Sequence, residues 1–208
     1  MKPSIPIFLA VEDDLSEFML RRLLRERSVD YTVSAVFKQA GFGHLKKKSP
    51  AFNNMAKSCP VLLLTDLDQR PCAPALIQDW LKRPKHPDFL LRVAVREVEA
   101  WLLACDVPLR QYLGTRKTFA FPQPEDLIDP KMELLKLAEV SARRDIREAV
   151  TRRDTRGNLR QGPAYDSTLS IFLNGHWDAA EAASRCPSLG RMLQALSNLE
   201  TSWNNRMP

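Results

Sequence analysis

The chain has 208 residues, 44% hydrophobic and 27% charged, which suits a soluble globular protein built on one sizeable core with a helical appendage. No stretch approaches the roughly 18 apolar residues of a membrane span, so no membrane partner is expected. Four cysteines without a CxxC pair argue against a zinc site or a disulfide framework and fit a reducing cytoplasm. A net charge of +6 is compatible with a phosphate-bearing partner and does not by itself require one.

The N-terminal "IPIFLAV" (5–11) is short, apolar and bounded by polar residues, so it reads as a buried first strand and not as a signal peptide. Asp14 with Glu17 three residues later reads as a capping box opening an amphipathic helix over "LSEFMLRRLLRER". "YTVSAVF" (31–37) alternates and is rich in β-branched and aromatic residues, which predicts a second strand. "KQAGFGHLKKKSP" reads as a glycine-containing basic loop, followed by a short helix from Pro50. "VLLLTDLD" is a third strand, "APALIQDWLKR" a helix, "FLLRVAV" (89–95) a fourth strand, and "REVEAWLLAC" opens another helix. Such alternation predicts an α/β fold with a mainly parallel sheet flanked by helices.

Beyond residue 105 the strand signal fades. Asp129 and Pro130 open a helical period through residue 150, residues 151–163 read as a polar basic loop, and two further helices follow, over "AYDSTLSIFLNGHW" and "PSLGRMLQALSNLETSW". The expected division is an α/β core over 1–105 and a helical layer or subdomain over 106–208. Trp101, His176 and Trp177 read as packing and capping residues.

Three acidic clusters each follow a strand: Glu12, Asp13 and Asp14; Asp66 and Asp68; Glu97 and Glu99. Ligands of open α/β sheets bind outside the carboxyl ends of the strands. Crowded carboxylates repel one another, and a hard divalent cation, Mg2+ or Mn2+, relieves that repulsion. Each acid also has a bland explanation. Asp14 serves as an N-cap, Glu12 favours a helix dipole, Asp66 and Asp68 suit a turn, and Glu97 and Glu99 suit a first helical turn. Period two would nonetheless aim Asp66 and Asp68 at one face.

"AVEDDLSEFMLRRLL", "LLLTDLDQ" and "VREVEAWLLA" together resemble the TOPRIM fold, and most of the chain is similar to a bacterial family of TOPRIM-like proteins encoded beside an ABC-type ATPase. The resemblance is distant to the overcoming-lysogenisation-defect nucleases. It implies a magnesium-dependent nuclease acting on DNA or RNA in antiphage defence. It places the TOPRIM glutamate on Glu12 and the Asp-x-Asp on Asp66 and Asp68, all three as metal ligands, with Glu97 or Glu99 completing the site or orienting water. Where the TOPRIM pattern carries a glycine after the glutamate, this chain has Asp13. The alternative that the resemblance implies is a non-catalytic partner module of the ATPase. A homodimer stays open.

Two basic elements complete the expectation. Lys46, Lys47 and Lys48 precede the Asp-x-Asp strand and could bind phosphate as point charges, although the spacing is not that of a P-loop. Arg153 and Arg156 lie in "TRRDTRGNLR", whose single acid is Asp154, and could face nucleic acid.

Overall fold

Apolar runs that are buried on both faces make the centre of the first unit. β1 (Ile5–Val11) and β3 (Val61–Asp66) are almost entirely inaccessible to solvent, and they lie side by side in parallel. β2 (Tyr31–Lys38) and β4 (Phe89–Ala94) flank them, giving a four-stranded parallel sheet in the order β2-β1-β3-β4. β2 is only half buried, as its alternating sequence implies for an edge strand. Pro6 has no N–H for the ladder, and the β1–β2 register slips by one residue just after it, between Ile7 and Phe8. The computed structural model describes residues 4–38, 42–116 and 118–206.

The expected helices appear as α1 (Asp14–Arg25) and α3 (Ala73–Trp80), with two corrections around them. The α1 cap is Asp13, whose side chain accepts from the Ser16 N–H at 2.8 Å, and not Asp14. The chain leaves β1 still extended at Asp13 (φ −143°, ψ 179°), so the helix is capped one residue earlier than the Asp14/Glu17 pair suggests. The basic stretch expected as a loop before Pro50 is helical: α2 runs from Phe42 to Met55 with Pro50 inside it. Leu45, Phe52 and Ala56 recur at helical spacing and are buried, and that burial outweighs the proline's missing N–H. The first part of that expected loop, residues 39–41, lies outside the described residues.

The chain divides into two compact units, Met1–Ala94 with Ser188–Pro208, and Val95–Pro187. The boundary expected at 105 is therefore replaced, because the last helix, α10 (Pro187–Asn204), belongs with the sheet. Glu200 of α10 accepts from Arg27 Nε (2.7 Å) and Nη2 (2.9 Å) and from the Tyr31 hydroxyl (3.0 Å). Arg206 just beyond the helix clasps both oxygens of Asp88 at 2.6 and 2.9 Å. Ion pairs between residues this far apart in the chain leave no trace in a linear pattern.

The second unit is mainly helical: α4 (Glu99–Leu103), α5 (Asp106–Leu113), a 3-10 turn (Pro124–Asp126), α6 (Pro130–Glu139), α7 (Arg144–Val150), α8 (Tyr165–Gly175) and α9 (Ala179–Arg185). Asp129 caps α6 as expected, accepting from the Met132 N–H at 2.7 Å. The helical period through 150 is broken at Ser141, whose hydroxyl accepts from the Arg143 N–H. Residues 151–161 are not a plain loop but a hairpin of β5 (Thr151–Arg153) and β6 (Leu159–Gln161). Asp154 organises its turn by accepting from the N–H groups of Arg156 and Asn158, each at 2.9 Å. Gly162 follows, where a Cβ would lie 2.4 Å from the Ala149 carbonyl oxygen, so only glycine fits. Trp101 is fully buried and its carbonyl accepts from Trp177 Nε1 at 2.8 Å, while His176 closes α8 and stacks on Phe172. Among the described residues, no helix is long and apolar enough to cross a membrane.

Candidate functional site

The carboxyl end of the first unit's sheet gathers acids from adjacent strands. The β1–β3 register pairs Ala10 with Leu63, so two residues further on Glu12 lies beside Thr65. Thr65 is 2% exposed, and its hydroxyl donates to Glu12 Oε1. The Asp66 N–H donates to the same carboxylate. Burial raises the Glu12 pKa above the usual range, and the charges of Asp68 and Asp13 raise it further, against the lowering effect of the two hydrogen bonds. Glu12 is thus held in place by neutral donors and faced by charges of its own sign.

Asp66 and Asp68 reach this end of the sheet by different routes, which corrects the expectation that both project from one strand face. β3 ends at Asp66, and Leu67 N–H still donates to the Ala94 carbonyl at 2.8 Å. Asp68 lies in the following turn with φ +52°, a left-handed conformation that aspartate tolerates better than most residues. Asp66 meets Glu12 through its backbone amide, whereas Asp68 meets it through its charge. Among the described residues, no three His, Cys, Asp or Glu side chains form a cage for a metal ion. The pair Glu12 and Asp68 fits instead the way magnesium is usually held, by one or two carboxylates with water and substrate phosphate supplying the remaining oxygens.

Glu97 and Glu99 belong to the second unit, where they make a different arrangement. Arg96 just before them has φ +61°. Glu99 is 2% exposed and accepts from the Tyr165 hydroxyl at 2.8 Å, with Lys131 Nζ at 3.3 Å. Burial, followed by the charge of Glu99, pushes the Tyr165 hydroxyl well above its ordinary pKa. Glu97 accepts from the Lys131 N–H at 2.9 Å. Burial, and then the neighbouring Glu99 charge, push the Glu97 carboxyl up to about 7. A carboxyl that titrates near neutrality is suited to giving and taking protons.

The basic residues also separate. Lys46 is engaged by Asp79 at 2.6 Å, while Lys47 and Lys48 are exposed on α2. Lys48 joins Lys38, His44, Phe37 and Phe52 in lining a cavity of about 260 Å³. The Phe37 and Phe52 rings lie 5.3 Å apart there. Lys38, at the end of β2, pairs with Asp14 and with Glu17 (3.0 Å) of the first turn of α1. In the hairpin, Arg153 is bound by Glu139 and by the Gly157 carbonyl (2.6 Å), whereas the Arg156 side chain is exposed. The Asp154 carboxyl beneath it is pulled down to about 2, chiefly by the Asn158 N–H.

One contributor to the sheet-edge site was not singled out from the sequence. Thr65 carried a signal, being a hydroxyl inside an otherwise apolar strand. In comparisons with known proteins, the chain matches no family model, no curated protein and no solved structure.

Proposed function

We propose that the chain is a magnesium- or manganese-dependent phosphodiesterase, a nuclease acting on DNA or RNA. The observation that supports this reading is the meeting of Glu12 and Asp68, from the ends of adjacent parallel strands, at the carboxyl edge of the sheet. Glu12 and Asp68 would hold the cation, with Asp66, expected as a third ligand, meeting Glu12 through its backbone amide. When bound, the cation neutralises phosphate charge and activates water.

The chain's own groups prepare that edge. The Thr65 hydroxyl and the Asp66 amide fix the orientation of the Glu12 carboxylate, so the carboxylate needs no reorganisation when a cation arrives. Lys47 and Lys48 supply point charges for the phosphate backbone. The half-buried Phe37 ring in the cavity beside Lys48 would offer an apolar face to a base of a single strand.

The test is cleavage of single- and double-stranded DNA and RNA with Mg2+ or Mn2+, alongside calorimetric titration of each metal. The wild type is expected to cleave in a metal-dependent manner, and the double variant Asp66→Ala/Asp68→Ala is expected to lose both cleavage and metal binding. Intact cleavage in the double variant would overturn the site. A wild type that neither binds metal nor cleaves would move the non-catalytic partner of an ABC-type ATPase ahead, and co-purification with such an ATPase would then be the assay to run.

A further inference from the structure

The edge strand β4 carries an arginine where a buried strand position normally carries an aliphatic residue. Leu90 and Arg92 alternate onto the face that α10 covers, and they line a cavity of about 350 Å³ with Lys85, Asn198, Leu199 and Ser202. That volume is in the range of a small-ligand pocket. It lies away from the Glu12 edge, since Lys85 and Asp88 precede β4 and Arg92 pairs with Leu64, ahead of the strand's carboxyl end.

Arg92 Nε is buried and has no hydrogen-bond partner among the described residues. The charge that acts on the guanidinium is that of Arg191, of the same sign. The nearest carboxylate of the cavity, Asp88, is already clasped by the Arg206 fork, which itself stacks over the Trp203 ring at 5.2 Å. Lys85 donates to the Phe89 carbonyl at 2.8 Å and, among the described residues, to no carboxylate. Burial lowers the pKa of both Lys85 and Arg92, and each is lowered further by a neighbouring cation, while the Asp88 charge offsets part of this for Lys85. Desolvated arginines are ordinarily paired, and a methionine or leucine of similar volume would pack here at less cost. The cavity therefore presents donors in excess of acceptors: a guanidinium, an ammonium, the Asn198 amide and the Ser202 hydroxyl.

We infer that this cavity between β4 and α10 is a binding site for a phosphoryl group. A phosphoryl dianion matches two or more converging cations, which a single carboxylate would leave half compensated, and its oxygens suit the forked donors of Arg92. The group can belong to a free phosphorylated small molecule or to a terminal phosphate of a nucleic acid, and the two share the same recognition chemistry.

The experiment is calorimetry and thermal unfolding of the full chain with inorganic phosphate, pyrophosphate and a 5′-phosphorylated oligonucleotide, against chloride at matched ionic strength. Saturable binding with a rise in Tm is expected. Arg92→Met should weaken it at least tenfold while leaving the ligand-free Tm equal to or above that of the wild type. Lys85→Ala, which removes the other cation lining the cavity, should weaken binding several-fold with the ligand-free Tm near that of the wild type, and it carries the test if Arg92→Met does not fold. Glu12→Gln should leave the binding of inorganic phosphate intact, which separates it from the sheet-edge site. Tighter binding of pyrophosphate assigns a free ligand, and tighter binding of the oligonucleotide than of its 5′-hydroxyl counterpart, lost in Arg92→Met, assigns a nucleic-acid end. A wild type whose Tm responds to phosphate no more than to chloride overturns the inference. Undiminished binding by both the Arg92 and the Lys85 variants overturns it equally.

Discussion

The two carboxylate centres solve the same problem in opposite ways. In the second unit, buried Glu99 has a built-in cation in Lys131 and a donor in Tyr165, so its charge is matched within the protein. In the first unit, Glu12 is oriented by the neutral donors Thr65 and Asp66 and is opposed by Asp68 and Asp13. A matched buried charge is a structural element, whereas an oriented and unmatched one waits for a cation. That contrast is the ground for proposing metal binding at Glu12 and scaffolding at Glu99, and it can be broken at either end.

The largest effect is expected from Glu12→Gln. The amide keeps the shape and can still accept from Thr65, so the fold should survive with Tm within a few degrees. Metal-dependent cleavage should fall by about 100-fold or more, as when a charge stabilising a transition state is removed. Unchanged cleavage would erase the contrast. Next is Glu99→Ala, which strips the partner from Lys131 and Tyr165 and leaves a buried gap. A loss of about 3 kcal/mol is expected in denaturant unfolding. Glu99→Gln, which keeps an acceptor for the Tyr165 hydroxyl, should cost about half of that. If Glu99→Ala is as stable as the wild type, the scaffolding role is wrong.

Glu97 sharpens the comparison through pH. Its carboxyl titrates at about 7 against an ordinary 4.5, raised first by burial and then by Glu99. Between these values the native state holds a proton that the unfolded chain has released. Stability therefore falls as pH rises from 4.5 to about 7 and levels off above. Glu97→Gln mimics the protonated form and should remove that slope. The gain should be about 1 kcal/mol at pH 8, discounted for the residue's partial exposure, and should vanish as pH falls below 4.5. Parallel stability curves for variant and wild type would show that Glu97 is not displaced.

How much of this could be read in the sequence depended on where the information lies. β1, β3 and β4 were legible because strands covered on both faces read as near-continuous apolar runs, interrupted here only by Arg92 and by Thr65 ahead of the closing Asp66. The β5–β6 hairpin was not, since Arg152, Arg153 and Arg160 are exposed and its pairing is organised by Asp154 rather than by burial. α2 was misread because Pro50 is a local signal, whereas the burial of Leu45 and Phe52 that overrides it is tertiary. The acids of the sheet edge were legible as types following strands. The role of Thr65 needed the β1–β3 register, and the turn that presents Asp68 needed a positive φ. α10 buries Leu189, Met192, Leu196 and Leu199, a stripe legible in the sequence, but the pairs Arg27–Glu200 and Asp88–Arg206 that fix where it docks are announced by no periodicity.

The smallest effect, and the one that separates substrate binding from both carboxylate centres, is expected from the lysines of α2. Lys47 and Lys48 are exposed, so Lys47→Ala/Lys48→Ala should leave Tm unchanged. If they neutralise phosphates, affinity for nucleic acid should fall at low salt. The slope of log affinity against log salt should shrink by about one for each phosphate that no longer has a lysine beside it. Cleavage at saturating substrate should stay near the wild-type rate, because binding that is equal in ground and transition states affects KM and not kcat. Lys46→Ala serves as the internal control. Its ammonium is already held by Asp79 at 2.6 Å, so it has less charge to offer and should change the salt slope least of the three. A Lys46 effect equal to that of Lys47 and Lys48 would mean that nucleic acid displaces the Asp79 pair and docks along the whole helix. No effect from any of the three would move the phosphate track off α2 and toward the exposed Arg156 of the hairpin.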